Sequence, residues 1–308
     1  MTEEKLNVTE VVEEKKEVKK YKSVKTAKLI STIFSYVMLV ILSIIWLYPI
    51  LWIILNAFRV EYEDGAQIGI VVSYYFPKRY GILNFVRLFT ETEFPQWFMN
   101  TLLLAVCSCV FSTILQLSVA YCMSKLRFKM RKPFMNISMI LGLFPGFMSM
   151  IAIYYILKAM GLTQSLAALI LVNSAGAGIG FQIAKGYFDI IPNSLVESAR
   201  LDGCTNFQIF AKIILPLSKP IIIYSALMAF TGPWMDFIFA RLILGETNTH
   251  LHTVAVGLYS MLYGQYPDEN MFTVFAAGCV CIAVPIVTLF MCLQRYYVEG
   301  VTSGAVKG

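Results

Sequence analysis

Six apolar runs, near residues 29–56, 98–123, 134–157, 166–184, 219–244 and 271–293, constrain this chain more than any other feature. A helix needs about 20 apolar residues to cross the hydrocarbon core of a bilayer. Only 14% of the 308 residues are charged, against about 25% in an ordinary soluble domain. So few charges cannot cover so much apolar surface in water, whereas lipid solvates the outside of a helix bundle directly. The expected fold class is therefore all-α, a polytopic membrane protein with six transmembrane helices. The expected organisation is a charged tail at 1–28, a six-helix domain at 29–294 and a short C-terminal tail at 295–308.

Orientation follows from the basic residues. With the N-terminus inside, the inner segments 1–28, 124–133, 185–218 and 294–308 hold 18 Lys and Arg, and the outer segments hold 5. Cytoplasmic loops carry such an excess, so both termini are expected in the cytoplasm. The inner stretch from Lys125 to Lys132 contributes most sharply. Trp46, Tyr48, Trp52, Trp97 and Tyr296 lie where headgroup anchors are expected. Pro145 and Pro233 fall inside spans and predict kinks, because each removes a helical N–H. Two outer loops are large, near 57–97 and 245–270; the first contains the strand-like stretch Ile68–Phe76. The mixed-charge start reads as a solvated, loosely helical tail and not as a cleavable signal.

The inner loop 185–218 differs from the others. Pro192 suits a first helical turn, and Asn193 and Ser194 can help to cap it. Leu195, Val196, Ala199 and Asp202 outline a short amphipathic helix that Gly203 ends. A second helical run, 205–214, stops before Pro216. The product is a helix–turn–helix elbow outside the membrane. Such an elbow can seat in a groove on a cytoplasmic partner and pass rigid-body motion to the spans. Glu197 supplies charge towards that partner, and Ala199 and Gly203 permit close approach.

The elbow also carries a spaced motif: Glu197-Ser198-Ala199, then Gly203, then Ile213-Ile214-Leu215-Pro216. In this pattern the chain resembles the inner-membrane permeases of bacterial ABC importers, whose motif is Glu-Ala-Ala, three residues, Gly, nine residues, Ile-any-Leu-Pro. Every spacing fits, and Ser198 in place of the first Ala is the one departure. The resemblance covers nearly all of the chain after residue 28. The stretch Gly232-Pro233-Trp234-Met235-Asp236-Phe237 and the ending Tyr296–Gly308 are similar to the second permease of carbohydrate importers of the maltose and maltodextrin type.

That resemblance implies a multi-pass subunit of the bacterial inner membrane, with the elbow as a coupling helix between helices 4 and 5. It implies three kinds of partner besides the lipid bilayer and no nucleic acid: a second permease, a dimer of ATPase subunits, and an extracellular sugar-binding protein. Glu197, Ser198, Ala199, Asp202, Gly203, Ile213, Leu215 and Pro216 would couple to the ATPase. The tail residues Gly304, Ala305, Val306 and Lys307 would reach the ATPase interface. Tyr259, Tyr263 and Gln265 would meet the binding protein. No cofactor is expected in this chain, and ATP and Mg would belong to the partner ATPase.

Other features point less far. No Gly-four residues-Gly-Lys-Ser/Thr pattern occurs, so the chain is expected to be no enzyme and to take its ATP hydrolysis from another polypeptide. Gly176-Ala-Gly-Ile-Gly180 lies in an apolar run and reads as close helix packing. His250 and His252 have no third ligand nearby, so no metal is expected. The seven cysteines include no CxxC pair and read as small apolar residues. Asp236 is a candidate cavity-lining carboxylate, with Arg241 as a candidate partner. An ion-coupled secondary transporter would want more paired charges in its spans than these two. Maltodextrin is the expected cargo, with another sugar as the alternative.

Overall fold

The computed structural model describes residues 2–60, 62–63, 66–67, 75–176, 180–264 and 271–302, with side chains described between 28 and 294. The chain divides into two units, Met1–Leu55 and Asn56–Gly308. The first is built by one helix, α1 (Thr2–Ala57), whose stretch Lys28–Ala57 is long and apolar enough to span a membrane. Helical backbone begins at Thr2, so the charged start continues into the span.

The second unit opens with two two-residue strands, β1 (Tyr62–Glu63) and β2 (Ala66–Gln67), paired antiparallel. Most of the strand-like stretch Ile68–Phe76 lies outside the described residues. Then follow α2 (Leu83–Thr90), α3 (Phe94–Lys125), α4 (Arg131–Gly142), α5 (Gly146–Ala159), α6 (Leu166–Gly176) and α7 (Phe181–Ile190). The elbow comes next: α8 (Asn193–Leu201), α9 (Asn206–Ile209), a π-helical turn (Phe210–Ile214) and α10 (Leu215–Leu217). The chain closes with α11 (Lys219–Met235), α12 (Ile238–Leu244), α13 (Val254–Tyr263) and α14 (Phe272–Thr302).

Among the described residues four segments can cross a membrane unbroken: Lys28–Ala57, Phe94–Lys125, Leu166–Ile190 and Phe272–Gln294. Two bent pairs bring the count to six if each crosses as a unit. The expected third span, 134–157, is one of them: α4 and α5 meet at a bend of 105°. The cause is Pro145, which stands as the N-cap of α5 with ψ 123°; it has no N–H to give the preceding turn. A break, and not a kink, is the outcome. The fifth run, 219–244, is also interrupted. Helix α11 stops at Met235, and the Asp236 carboxylate accepts the Phe239 N–H (3.1 Å) at the start of α12. An apolar pattern continues across such a break, so hydrophobicity alone cannot see it.

Helix α3 is the central strut, packing against α11, α7, α6 and α13. In lipid no hydrophobic force draws helices together, so close packing of small residues must do so. Ala105, Ala120, Ala184, Ala276 and Ala277 are accordingly buried. Gly257 is the tightest case, since a methyl group there would lie 2.1 Å from the Trp97 ring. One apolar core joins the later half of α3 to α7 and the elbow. A second joins Leu104 of α3 to α5, α6, α12 and α13.

The expected outer loop 245–270 is more ordered than its polar composition predicts. Val254–Tyr263 is helical, with Val254, Val256, Leu258 and Met261 buried. At ten residues it is too short to register as a span. Asn100 fastens this region to α3 by donating to the carbonyls of His250 (2.7 Å) and His252 (3.0 Å). Trp97 Nε1 donates to the Thr249 carbonyl (3.0 Å).

Candidate coupling elbow

The elbow starts where Ile191 precedes proline and is extended, as the pre-proline clash requires. Pro192 takes the N-cap position and offers no side-chain acceptor. Asn193 does not cap the helix either. Its Oδ1 accepts from Lys125 Nζ (3.2 Å), which also donates to the Ile191 carbonyl (2.6 Å). Lys125 is only 7% exposed. A buried ammonium demands acceptors, and that demand overrides local capping. Ser124 Oγ donates to Asp189 (2.6 Å), which also pairs with Lys185 (2.5 Å). The Lys125 bonds tie the start of α8 to the end of α3, and the Ser124 bond ties the end of α7 to it.

Val196 and Ala199 form the inward stripe of α8, both buried in the core that includes Phe188 and Ile214. Ala199 therefore lets α8 pack closely on its own chain. It lies one turn from Val196 on the buried face, which spacing alone did not separate from the exposed one. Glu197, Ser198, Asp202 and Gly203 are exposed.

Gly203 ends the helix as expected. Its φ is +84°, a region that costs other residues roughly 1–2 kcal/mol. Gly203 N–H donates to the Arg200 carbonyl (3.0 Å), and Cys204 N–H donates to the Ala199 carbonyl (2.9 Å). This pair of bonds is the Schellman closure, which satisfies carbonyls the helix leaves open. The next arm starts with a capping box: Gln208 N–H donates to Thr205 Oγ1, and Gln208 Oε1 accepts the Thr205 N–H. The sequence reading missed it, although Thr205-x-x-Gln208 is a legible signature.

The second arm does not stop before Pro216. It passes through the proline to Leu217 by widening into a π turn, in which the Leu215 N–H reaches back to the Phe210 carbonyl. The wider turn accommodates a residue without an N–H. Ile214 is fully buried, Ile213 and Leu215 pack beside it, and Pro216 is exposed. Tyr121 Oη donates to the Asn206 carbonyl (3.0 Å), a second tie to α3. After Ser218 the chain bends by 87° into α11.

Ala199, Ile213, Ile214 and Leu215 thus build the elbow's frame, with Gly203 shaping its turn. The surface it presents is led by residues the sequence reading did not single out: Leu201 is 90% exposed and Phe207 is 75% exposed. Both flank the Gly203 turn. Exposed apolar side chains on one turn are candidates for contact with a partner. Beside it, α3, the loop after it and α8 enclose a cleft of about 430 Å³.

The other expected sites are placed as follows. Asp236 caps α12, and Arg241 pairs with Glu246 instead, its guanidinium 4.7 Å from the Tyr259 ring centre. Tyr259 also stacks on Phe237 (4.6 Å), whereas Tyr263 is 74% exposed. Gln265 and the tail Gly304, Ala305, Val306 and Lys307 lie outside the described residues. His252 is buried with Nε2 against the Gly245 carbonyl (3.2 Å), and burial pushes its pKa down, so the ring is neutral at pH 7. Exposed His250 faces Glu93 (3.4 Å).

Residues 116–303 match the family of binding-protein-dependent transport system inner membrane components. The chain belongs to that family. The elbow falls inside the matched region. The permease is 33% identical over 280 residues to the maltodextrin transport system permease protein MdxG of Bacillus subtilis, covering 91% of this chain and 97% of that one. It is 32% identical over 283 residues to the galactooligosaccharides permease protein GanQ of the same organism, covering 91% and 96%. It is 34% identical over 277 residues to the maltodextrin permease protein MalD of Streptococcus pneumoniae, covering 89% and 95%. Its fold matches a chain in the crystal structure of a bacterial ABC transporter for alginate import, with a TM-score of 0.75 over 87% of this permease and 96% of that chain, at 23% identity. The resemblance to carbohydrate importer permeases is borne out.

Proposed function

We propose that this permease carries an oligosaccharide of the maltodextrin class across the cytoplasmic membrane by alternating access. It works with a second permease, two copies of an ATPase subunit and an extracellular binding protein, with both termini in the cytoplasm. The membership supports a binding-protein-dependent importer, and the maltodextrin relatives support the cargo class. The observation that carries the mechanism is the elbow: a docking turn on a support tied twice to the central helix α3.

ATP and Mg bind the ATPase subunits. As these close, the turn carrying Leu201 and Phe207 moves with them. The Lys125 and Tyr121 ties deliver that movement to α3. The cavity then opens outwards, and hydrolysis resets it. Such a switch is a population shift, driven by the different contacts that each ATPase state makes. The ion-coupled alternative loses support, because Asp236 serves as a helix cap and Arg241 pairs with Glu246 near the outer end.

Two experiments test this reading. Deleting the gene is expected to abolish ATP-dependent uptake of labelled maltodextrin. Uptake by the lone chain in liposomes without ATP would refute it, and loss of galactooligosaccharide uptake alone would change the cargo. Leu201→Ser and Phe207→Ser are each expected to weaken ATPase binding by about tenfold or more, the scale of an apolar anchor at an interface. Both side chains are exposed, so insertion and yield are expected to stay at wild-type levels. Unchanged ATPase recovery from the double variant would remove the turn from the docking face.

A further inference from the structure

The cleft beside the elbow has a chemistry different from that of the apolar turn. Lys125, Arg127, Arg131 and Arg200 line it, against Asp189 and Glu197. Asp189 is already taken up by Ser124 and Lys185. Among the described residues the side chains of Arg127 and Arg131 make no ion pair or hydrogen bond. Lys125 has two acceptors in the chain, and an ammonium carries three donors. The cleft thus offers guanidinium forks and one buried ammonium N–H to a guest, the donor set that suits a phosphate group.

Its surroundings narrow the source. Lys125 is the last residue of a segment that can span the membrane, so the cleft opens at headgroup depth on the elbow's side. Arg127 and Arg131 alternate with apolar side chains that point outwards: Phe128 is 38% exposed, Met130 52% and Phe134 48%. Ile137, one turn on from Phe134 along α4, is 49% exposed. A basic pocket continued by an apolar lane matches a lipid, with its head in the pocket and its chain along the lane. Free phosphate would gain nothing from the lane.

We infer that this cleft binds the phosphate headgroup of an anionic phospholipid, with an acyl chain along Phe134 and Ile137. The inference rests on placing the elbow at the cytoplasmic membrane surface. A phosphate there joins Arg127, in the loop after α3, and Arg131, at the start of α4, to Arg200 of α8. It braces the elbow against the bundle, and coupling becomes sensitive to the anionic lipid content of the membrane. Basic pockets between transmembrane helices on the cytoplasmic side bind lipid headgroups by this chemistry.

The test uses the full-length permease in mild detergent, with native mass spectrometry to count retained phosphatidylglycerol and phosphatidylcholine. Wild type is expected to retain phosphatidylglycerol preferentially. The double variant Arg127→Gln with Arg131→Gln is expected to lose about thirtyfold in that affinity, the worth of two surface arginines. Lys132→Gln, an exposed neighbour outside the cleft, is expected to behave as wild type. Each arginine variant alone is expected to show an intermediate loss, which guards against misfolding of the double variant. Equal retention by wild type and double variant would overturn the inference. Inorganic phosphate that displaced the lipid at millimolar concentration would overturn the lipid as its source. Loss of the lipid on adding the ATPase would assign the cleft to an acidic segment of that partner. None of these readouts needs transport, so failure here and failure of the importer reading are separable.

Discussion

A Gly203→Pro permease is expected to reach the membrane at normal yield and to lose its ATPase on pull-down. The reason lies in two demands on one residue. Its φ of +84° is closed to proline, which holds φ near −65°. Its N–H closes the helix onto the Arg200 carbonyl, and proline has no N–H. Both bonds of the closure are then lost, and the turn that displays Leu201 and Phe207 loses its shape. The position is free of steric conflict, since a Cβ at Gly203 would meet nothing within 4 Å. That separates conformation from crowding. Gly203→Ala is therefore expected to cost only the left-handed penalty of about 1–2 kcal/mol. Gly203→Asn is expected to cost less, because asparagine visits that region. Loss of ATPase binding ordered Pro, Ala, Asn is the expected pattern. Wild-type recovery with proline would remove the elbow from the coupling path.

Gly257→Ala is expected to destabilise the permease itself and so to lower its yield and melting temperature. The added methyl would sit 2.1 Å from the Trp97 ring. Trp97 cannot retreat easily, because it is fully buried and its Nε1 is bonded to the Thr249 carbonyl. Overpacking a well-filled core commonly costs about 1–3 kcal/mol, and a contact this short on a fixed ring belongs at the upper end. Leu258 beside it also packs closely on Gly278, where a Cβ would lie 2.6 Å from Leu258 Cδ2. Helix α13 thus meets α3 and α14 through missing side chains. A double-mutant cycle checks the cause. In a Trp97→Leu background, Gly257→Ala is expected to cost less than in wild type. Thermal melting in detergent reads both effects. Strict additivity would show that the penalty comes from elsewhere.

Much of the elbow was legible because its signals are local. Gly203 after a short amphipathic run announces a helix end, and a left-handed glycine is there. The spacing to Ile213 and Leu215 announces a second arm, and those residues pack on the elbow's core. Thr205 and Gln208 were equally readable and were passed over. Ala199 was legible only in part. A small residue on an amphipathic helix suits close approach to anything, and only the packing of α8 on Phe188 and Ile214 shows what it approaches. Leu201 and Phe207 were overlooked because apolar residues near a membrane read as core until the fold leaves them outside.

The spans divide in the same way. Long apolar runs specify helices in lipid because each helix satisfies its own backbone groups, which is a local condition. The amino-acid order therefore determined by itself that this is a multi-pass α-helical membrane protein and which family it belongs to. The tertiary structure decided the rest: the 105° break at Pro145, the end of α11 at Asp236 and the use of Asn193 as a ligand for buried Lys125. These depend on groups far apart in the chain, since Lys125 and Asn193 are 68 residues apart. A backbone break or a buried charge is tolerated only where distant groups supply its partners, and no window of sequence contains both halves of that condition.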